Sequence, residues 1–343
     1  LAGQDEFSKE LVSLLDEVYT WIRYLHWDEL QHPSGKQVLV ADPINIAELR
    51  QVFAFLGEDL MQEKGRLICS WTVGMEQQVA PAHLLQEAQN RGYYTILNCM
   101  RLLAEKGAVQ LDIVFISNGI FSILGTEHLQ PEKATALGAL KVIPKEYDEV
   151  NTLCIDFALT DLQNDLSLVQ RVYEQISCVG VEEVIGVRGR RTWVPSFARI
   201  PAVPKEEELA LQRGGVYLIT GASGGMGQAF SEYLSSVYDA HLILVGRSSP
   251  SSGLPHSSAV FVQNNLADSV SLSEEIAKAL QQLGQTSIDG VIHAAGVADY
   301  AGFIKDRIVE DCEEIFLPKV SGTVNLFKST VDYWPSFFVN CSS

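Results

Sequence analysis

The sequence lacks the cysteine and histidine spacings that hold metal ions. None of its six cysteines forms a CxxC pair, and its seven histidines show neither an HxxxH nor an HExxH spacing. Scattered cysteines, most of them in apolar strand-like runs, are typical of reduced thiols in an intracellular protein. We therefore expect no metal site and a cytoplasmic location.

Long apolar runs and an excess of positive charge are also missing. No apolar window approaches the ~18 residues that a membrane span needs, and the N-terminus "LAGQDEFSKELV" is unlike a signal peptide. The chain carries 43 acidic against 25 basic residues, a formal net charge of −18. Phosphate backbones and anionic membrane surfaces repel such a chain, so we expect neither nucleic acid nor a membrane as its partner.

What the sequence does contain is a regular alternation of strands and helices. The chain has 343 residues, 47% of them apolar, which is enough for two cores of ordinary size. Short β-rich runs such as "LDIVFISN" and "NTLCIDF" alternate with stretches of helical periodicity, and the rhythm resumes later with "VYLIT", "HLILVG", "AVFVQ", "DGVIHAA" and "SFFVNCSS". This alternation predicts an α/β fold with two mostly parallel sheets in tandem.

We expect four segments along the chain. Residues 1–35 form an N-terminal helical element, 36–200 a first α/β subdomain, 201–214 a linker rich in proline and acidic residues, and 215–343 a second α/β subdomain. The helical start "KELVSLLDEVYTWIRYL" is either a dimerisation or interdomain element or a helix that packs on its own domain. Within the first subdomain no strand leads into a glycine-rich turn.

The second subdomain contains such a turn in "LITGASGGMG". A strand is predicted to end at Thr220 and a helix to begin near Met226, with Gly221, Gly225 and Gly227 in the spacing TGxxxGxG. One glycine lets the chain turn sharply, one lets the backbone approach a pyrophosphate, and one lets the helix pack closely on the strand. The diphosphate would lie at the helix N-terminus, where N–H groups and the helix dipole favour negative charge.

The end of the next strand indicates which dinucleotide binds. Arg247 and Ser248 follow "HLILVG", 20 residues past Gly227, where an acidic residue would bind the ribose 2′-hydroxyl of NAD. An arginine there instead pairs with the 2′-phosphate of NADP. The sequence therefore predicts NADPH as the cofactor.

Two further strand ends support a dinucleotide site. The amides of Asn264 and Asn265 suit an adenine edge, and the small residues after His293 admit the nicotinamide ribose, whereas His293 itself is given no chemical role. The predicted cofactor site is Thr220, Gly221, Ser223, Gly225, Met226, Gly227, Arg247, Ser248, Asn265, Leu266, Ala294, Ala295 and Gly296.

Taken together, these motifs identify a family. "TGASGGMG", "GRSS", "HAAG", "LPKVSGTVNLF" and the terminal "CSS" resemble the ketoreductase domains of modular polyketide synthases, which are members of the short-chain dehydrogenase/reductase superfamily. Upstream, "HLQPEKATALGALKVIPKEY" and "RRTWVPSFARIP" resemble the family's non-catalytic structural subdomain. The resemblance covers the chain from about Asp42 and implies two Rossmann-like doubly wound subdomains, the first without a cofactor site.

The resemblance also implies the chemistry. The second subdomain would reduce a β-ketoacyl chain, tethered through phosphopantetheine to an acyl carrier protein, with a Lys, Ser, Tyr and Asn set. Lys319 matches the lysine and Ser343, 24 residues later, the serine. The tyrosine would be the acid, its pKa lowered by the lysine, and Ser343 would donate to the developing oxyanion.

The family's tyrosine would follow Ser343 by about a dozen residues, and its asparagine would lie one helical turn further on. We therefore expect the natural polypeptide to continue and the second sheet to be truncated after its fifth strand. "ADYAGF" follows "HAAGV" where one stereochemical class has Leu-Asp-Asp, and only Asp299 preserves part of that pattern. This favours an L-configured β-hydroxyl product.

The resemblance further implies neighbouring synthase domains and a homodimer formed through the synthase. Two other functions stay open at this point. One is a catalytically silent structural domain that docks neighbouring synthase domains. The other is a free-standing short-chain dehydrogenase, which a cofactor-free first subdomain disfavours.

Overall fold

The computed structural model describes residues 6–18, 24–26, 38–40, 44–56, 65–75, 83–105, 107, 110–164, 167–199, 211–248, 258–300 and 302–342. The chain divides into two compact units. The first comprises Leu1–Arg199 and Gly302–Arg307, and the second comprises Ile200–Ala301 and Ile308–Ser343. Residues 201–210 of the predicted linker and the predicted catalytic Ser343 lie outside the described residues.

The first unit is built around a five-stranded sheet. Its helices are α1 (Glu6–Val18), α2 (Ile46–Leu56), α3 (Leu84–Gln89), α4 (Thr95–Ala104), α5 (Ala136–Glu146), α6 (Leu159–Asn164) and α7 (Ser167–Gln175). Its strands are β1 (Tyr24–His26), β2 (Val38–Val40), β3 (Gly65–Cys69), β4 (Leu111–Asn118), β5 (Val150–Phe157), β6 (Val184–Arg188) and β7 (Arg191–Trp193). The sheet order is β3-β4-β5-β6-β7, parallel except for β7, while β1 and β2 form a separate parallel pair.

Helix α1 packs on the first unit's own sheet. Phe7, Leu11 and Leu15 are buried, and they share a core with alternate residues of β4 and β5 and with the apolar face of α7. Phe7 stacks on Phe157, with ring centroids 4.8 Å apart. Of the two readings of the helical start, the structure therefore supports the helix that packs on its own domain.

The loop after β4 closes around the Glu127 carboxylate. Four consecutive backbone N–H groups, from Ile123 to Thr126, donate to it at 2.8 to 3.1 Å, and Arg188 pairs with it at 3.0 Å. Burial raises the pKa of this carboxyl, but the backbone N–H groups and the guanidinium outweigh burial and lower the pKa of Glu127 to about 2. Arg188 also pairs with the buried Asp156 at 2.6 Å, so the loop is fixed at the carboxyl ends of β5 and β6.

The second unit is a doubly wound parallel sheet. Its strands are β8 (Val216–Thr220), β9 (His241–Gly246), β10 (Ala259–Gln263), β11 (Gly290–His293) and β12 (Phe337–Asn340). Its helices are α8 (Gly225–Tyr238), α9 (Ser269–Leu283), α10 (Val309–Phe316) and α11 (Gly322–Thr330). In the order β10-β9-β8-β11-β12, the strands that follow β8 are added first on one side of it and then, from β11 on, on its other side. This switch point lies between β8 and β11, and α/β folds bind ligands at the carboxyl ends of the strands at such a point.

Alternate strand residues of the second unit face two separate cores. Val216, Leu218 and Val291 pack with the inward faces of α9 and α11, whereas Tyr217 and Ile219 pack on the side of α8. All five residues of β8 are buried, as expected for a central parallel strand covered on both faces. This packing holds the end of β8, and so the glycine turn that follows it, in a fixed position.

The α/β fold with two tandem Rossmann-like sheets is therefore confirmed. One segment departs from the simple succession of two units, because Gly302–Arg307 belongs to the first unit although its neighbours in sequence belong to the second. In this segment Ile304 is buried, and its N–H donates to the Glu146 carboxylate at 2.8 Å. No helix in the described ranges is both long and apolar enough to cross a membrane.

Candidate functional site

The glycine turn begins with a backbone conformation that a side chain would strain. Gly221 follows the last residue of β8 with φ +69°, in the left-handed region that favours glycine. A Cβ at this position would lie 2.5 Å from the carbonyl oxygen of Ala294, so the turn also lies tightly against the loop after β11. Gly221 is thus the sharp-turn glycine.

The other two glycines of the TGxxxGxG spacing differ from each other. A Cβ on Gly227 would lie 2.3 Å from the Gly221 carbonyl oxygen, so helix α8 packs too closely on the turn for any side chain there. A Cβ on Gly225 would meet no atom of the described residues within 4 Å, so among these residues the space above the first turn of α8 is open. These surroundings suit the close-packing role for Gly227 and the ligand-approach role for Gly225.

The N-terminus of α8 presents an electropositive surface to that open space. Gly225, Met226 and Gly227 lie in its first turn, where an α-helix leaves N–H groups without intrahelical acceptors. No acidic residue lies in this first turn, although the chain as a whole is strongly acidic. Ser223 and Met226 are exposed beside the turn. The arrangement can hold an anionic diphosphate.

Arg247 and Ser248 are exposed directly after β9, the strand next to β8. The Arg247 carbonyl accepts from the Gln263 amide at 3.1 Å, which fixes the backbone and leaves the guanidinium at the surface. A guanidinium at this strand end can pair with a phosphate in a bidentate manner.

The structure separates the two asparagines after β10. Asn264 is used internally, because its amide donates to Glu275 at 2.8 Å and its oxygen accepts from the Leu266 N–H at 2.7 Å. Asn265 is exposed. Leu266 is buried with φ +64° and its carbonyl accepts from Asn325 at 2.9 Å, which fixes the loop. The exposed amide at this strand end is thus that of Asn265.

The loop after β11 meets the predicted catalytic lysine. Ala294 and Ala295 are half-buried and Gly296 is exposed. The Lys319 Cε lies 3.4 Å from the position that a Cβ on Gly296 would take, so the lysine stem passes directly over this glycine. Lys319 is the third residue of a π-helical turn, Leu317–Ser321, between α10 and α11. Such turns are frequent at functional sites.

A buried hydrogen-bond chain, which the sequence did not predict, joins these parts. His293 Nδ1 lies 2.6 Å from Thr220 Oγ1, and His293 Nε2 lies 2.9 Å from the Pro318 carbonyl oxygen. The Ala295 N–H donates to Thr220 Oγ1 at 3.2 Å. Burial lowers the pKa of His293, partly opposed by the bond to Pro318. In the sequence, Thr220 and His293 are each a polar residue at the end of an apolar strand run, and this shared pattern is the signal that could have indicated the pair.

The first unit contains a related helix without the lysine. Between β3 and β4, α3 and α4 are separated by a five-residue π-helical turn, Asn90–Tyr94, whose third residue is Gly92. A Cβ on Gly92 would lie 3.3 Å from Ala136 Cβ, so the turn packs against α5. The first unit thus repeats the helix geometry, but where the second unit carries Lys319 it has a packed glycine.

The residues of the second unit fit the predicted cofactor. The turn at Gly221, the open space at Gly225 and the exposed Arg247 lie at the carboxyl ends of adjacent strands, and the loop at Ala294 lies beside them. Ser343 is outside the described residues, so the structure gives no position for the predicted serine. The assignment of individual residues to the cofactor stays a prediction.

Comparison with known proteins gives a family match for the second unit. A family model described as KR domain matches residues 215–343. Polyketide synthase PksM of Bacillus subtilis (strain 168) is 34% identical over 126 residues, which cover 34% of this chain and 3% of that protein. Spectinabilin polyketide synthase system protein NorA' of Streptomyces orinoci is 27% identical over 243 residues, which cover 68% of this chain and 6% of that protein. The chain therefore spans only a small part of these curated relatives.

Solved structures share the fold over nearly the whole chain. A multidomain structure of adenylation, ketoreductase and pseudo Asub domains from a keto acid-selecting NRPS module has a TM-score of 0.79 at 19% identity and covers 96% of this chain and 28% of that chain. An N-terminal ketoreductase from the macrolactin assembly line has a TM-score of 0.75 at 18% identity and covers 98% of this chain and 68% of that chain. The predicted resemblance to polyketide synthase ketoreductase domains is confirmed.

Proposed function

We propose that this protein, whose residues 215–343 match the KR domain model, uses NADPH to reduce a β-ketoacyl thioester to the β-hydroxyacyl form. The observation that carries the proposal is the glycine turn of the second unit. Gly221 turns with φ +69°, Gly227 packs against the Gly221 carbonyl, and Gly225 leaves open space above the N-terminus of α8. A turn that served packing alone would not need the open space at Gly225.

The cofactor would be held at both of its phosphate groups. The first-turn N–H groups of α8 would bind the diphosphate, and the exposed Arg247 would bind the 2′-phosphate, which distinguishes NADPH from NADH. The exposed amide of Asn265 would contact the adenine, and the small residues from Ala294 to Gly296 would admit the nicotinamide ribose.

When bound, NADPH supplies the hydride that reduces the ketone carbon. The chain's own residues control the proton that goes to the ketone oxygen. Lys319, whose stem lies over Gly296, would place an ammonium charge beside the tyrosine that the family resemblance puts downstream of Ser343. A neighbouring cation lowers the pKa of a phenol and so favours proton donation near neutral pH. Ser343 would donate a hydrogen bond to the developing oxyanion.

The substrate would reach the site as a phosphopantetheine-tethered chain on an acyl carrier protein. The curated relatives are polyketide synthases far longer than this chain, which supports neighbouring synthase domains as further partners. We also propose an L-configured product, because only Asp299 of the "ADYAGF" stretch follows the Leu-Asp-Asp pattern of the opposite class.

Turnover of the complete natural polypeptide tests this function. With a β-ketoacyl thioester and NADPH, we expect cofactor oxidation coupled to formation of the β-hydroxyacyl product. Lys319→Ala should lower kcat by about 100-fold or more, because a positioned acid–base system contributes that much. Lys328→Ala, an exposed lysine in the following helix, is the matched control and should behave as wild type.

Two outcomes would contradict the proposal. Wild-type protein that binds NADPH but never oxidises it on any β-ketoacyl thioester would point to a silent structural domain. Equal turnover by the Lys319→Ala and Lys328→Ala variants would remove Lys319 from the chemistry.

A further inference from the structure

The buried hydrogen-bond chain through His293 determines the protonation state of the ring. The Pro318 carbonyl oxygen only accepts, so the His293 Nε2 that lies 2.9 Å from it carries a hydrogen. Nδ1 then has a free lone pair and accepts from the Thr220 hydroxyl at 2.6 Å. The Thr220 oxygen in turn accepts from the Ala295 N–H. Each donor and each acceptor is paired in one arrangement, with a neutral imidazole.

The helix at the far end of this chain is interrupted where the imidazole reaches it. Pro318 has no N–H to give to the preceding turn, and the Gly322 N–H donates to Leu317, five residues back, instead of four. A helix widens in this way where a side chain engages its hydrogen-bond ladder. His293 supplies that side chain, and Lys319 is the next residue after the carbonyl that it holds.

The near end of the chain fixes the surface on which the lysine lies. Thr220 ends β8, His293 ends β11, and the two residues are opposite each other in the parallel register. Through Ala295, the same hydroxyl holds the loop that leads to Gly296, over which the Lys319 stem passes. One imidazole therefore connects the turn that carries the lysine with the loop that supports it.

We infer that His293 is a positioning residue for Lys319, acting through its Nε2–H bond to Pro318 rather than by contact with substrate or cofactor. The expected loss of turnover rests on the proposed function. The effect of His293 on the backbone position of Lys319 does not. The bond to Pro318 sets the backbone position of Lys319, while the bond to Thr220 sets the loop beneath it.

Two variants of His293 in the complete polypeptide separate these bonds. Asparagine reaches only as far as Nδ1, so His293→Asn keeps a partner for Thr220 and loses the bond to Pro318. Glutamine reaches as far as Nε2, so His293→Gln keeps an N–H donor for Pro318. His241→Gln is the matched histidine control, because His241 is the first residue of β9 and so lies at the amino ends of the strands, away from the site.

We expect His293→Asn to lower kcat about 10- to 100-fold, because small misplacements of a reacting group cost that much. Its NADPH dissociation constant should stay within about twofold of wild type, since the glycine turn is intact. Hydrogen exchange should become faster in residues 317–322. The kcat of His293→Gln should be about tenfold higher than that of His293→Asn, and its hydrogen exchange in residues 317–322 should be as slow as in wild type. His241→Gln should match wild type in both measurements.

The inference is overturned if the two His293 variants lose turnover equally, or if the loss appears in NADPH affinity. Unchanged exchange in residues 317–322 of the asparagine variant also overturns it. Should wild type not turn over, the proposed function fails, and the exchange comparison alone decides the positioning role. Should the asparagine variant not fold, the glutamine variant decides, and a loss above about tenfold in its kcat contradicts the inference.

Discussion

Three glycines of one turn differ in what a side chain would meet at each of them. At Gly221 and Gly227 a Cβ would approach backbone atoms at 2.5 Å and 2.3 Å, whereas at Gly225 it would enter open space. The spacing alone predicts that three roles exist, but only the backbone geometry distributes them. At the scale of single residues, the turn is thus specified twice by packing and once by the space left for a ligand.

Replacing two of these glycines by alanine should separate binding from stability. Gly225→Ala should weaken NADPH binding by about tenfold or more with little change in the unfolding midpoint, because its methyl group fills only ligand space. Gly227→Ala should lower the free energy of unfolding by about 1–3 kcal/mol, because its methyl group meets backbone that cannot yield. Thermal unfolding and NADPH titration of both variants check this, and equal effects on binding and stability in both would contradict it.

At the scale of elements, the strands were the most predictable part. "VYLIT" and "HLILVG" coincide with β8 and β9, because strands buried on both faces read as continuous apolar runs. "AVFVQ" coincides with the partly buried β10. The antiparallel β7 is too short to carry such a signal. The π-helical turn Leu317–Ser321 receives a hydrogen bond from His293 on another element, which its own residues do not encode, although Pro318 in this turn disfavours a regular helix.

Tertiary contacts explain the remaining gaps in prediction. The Gly302–Arg307 segment joins the first unit through the burial of Ile304, which no local pattern encodes. The pairing of His293 with Thr220 follows from strand order, which periodicity does not give. Asn264 and Asn265 look alike in sequence, and only the loop conformation turns one of them inward.

The Glu127 loop gives a prediction for stability against pH. The pKa of Glu127 is depressed to about 2 from an ordinary 4.5, so its ionised form stabilises the fold fully above about pH 4.5, and that contribution is lost as pH falls toward 2. Glu127→Gln should cost about 1–3 kcal/mol near neutral pH, since it weakens the bonds from the loop N–H groups and leaves the buried Arg188 guanidinium without this carboxylate. The exposed Glu183→Gln is the control.

Unfolding midpoints of the complete polypeptide at pH 7 and at pH 3 measure this difference. The difference in unfolding midpoint between wild type and Glu127→Gln should be smaller at pH 3 than at pH 7. A gap that stays constant or widens would show that the ionised carboxylate does not stabilise the loop.

At the scale of the whole molecule, two similar sheets carry different sites. Both units place a helix interrupted by a π-helical turn between two adjacent parallel strands, yet only the second has the glycine turn and Lys319. The first unit instead closes the carboxyl ends of β5 and β6 with the Glu127 loop and Arg188. The difference between the two units at the carboxyl ends of their strands therefore follows from a few residues rather than from the fold.

In the proposed function, the charge of the molecule makes Arg247 the residue expected to select the cofactor. A net charge of −18 repels a polyanionic dinucleotide in general, so local cationic groups must supply the attraction. Arg247→Ala should therefore weaken NADPH binding about 10- to 100-fold while changing NADH binding about twofold at most. Arg213 is also exposed, but it precedes β8 and so lies at the amino ends of the strands. Arg213→Ala should therefore change neither NADPH binding nor NADH binding.

Titration of the complete polypeptide with NADPH and with NADH, for wild type and these two arginine variants, is the most direct test of NADPH binding and of its selection by Arg247. We expect wild type to bind NADPH saturably and more tightly than NADH, and we expect only Arg247→Ala to lose that preference. A folded wild-type protein that shows no saturable NADPH binding, or a preference that survives the loss of Arg247, would contradict it.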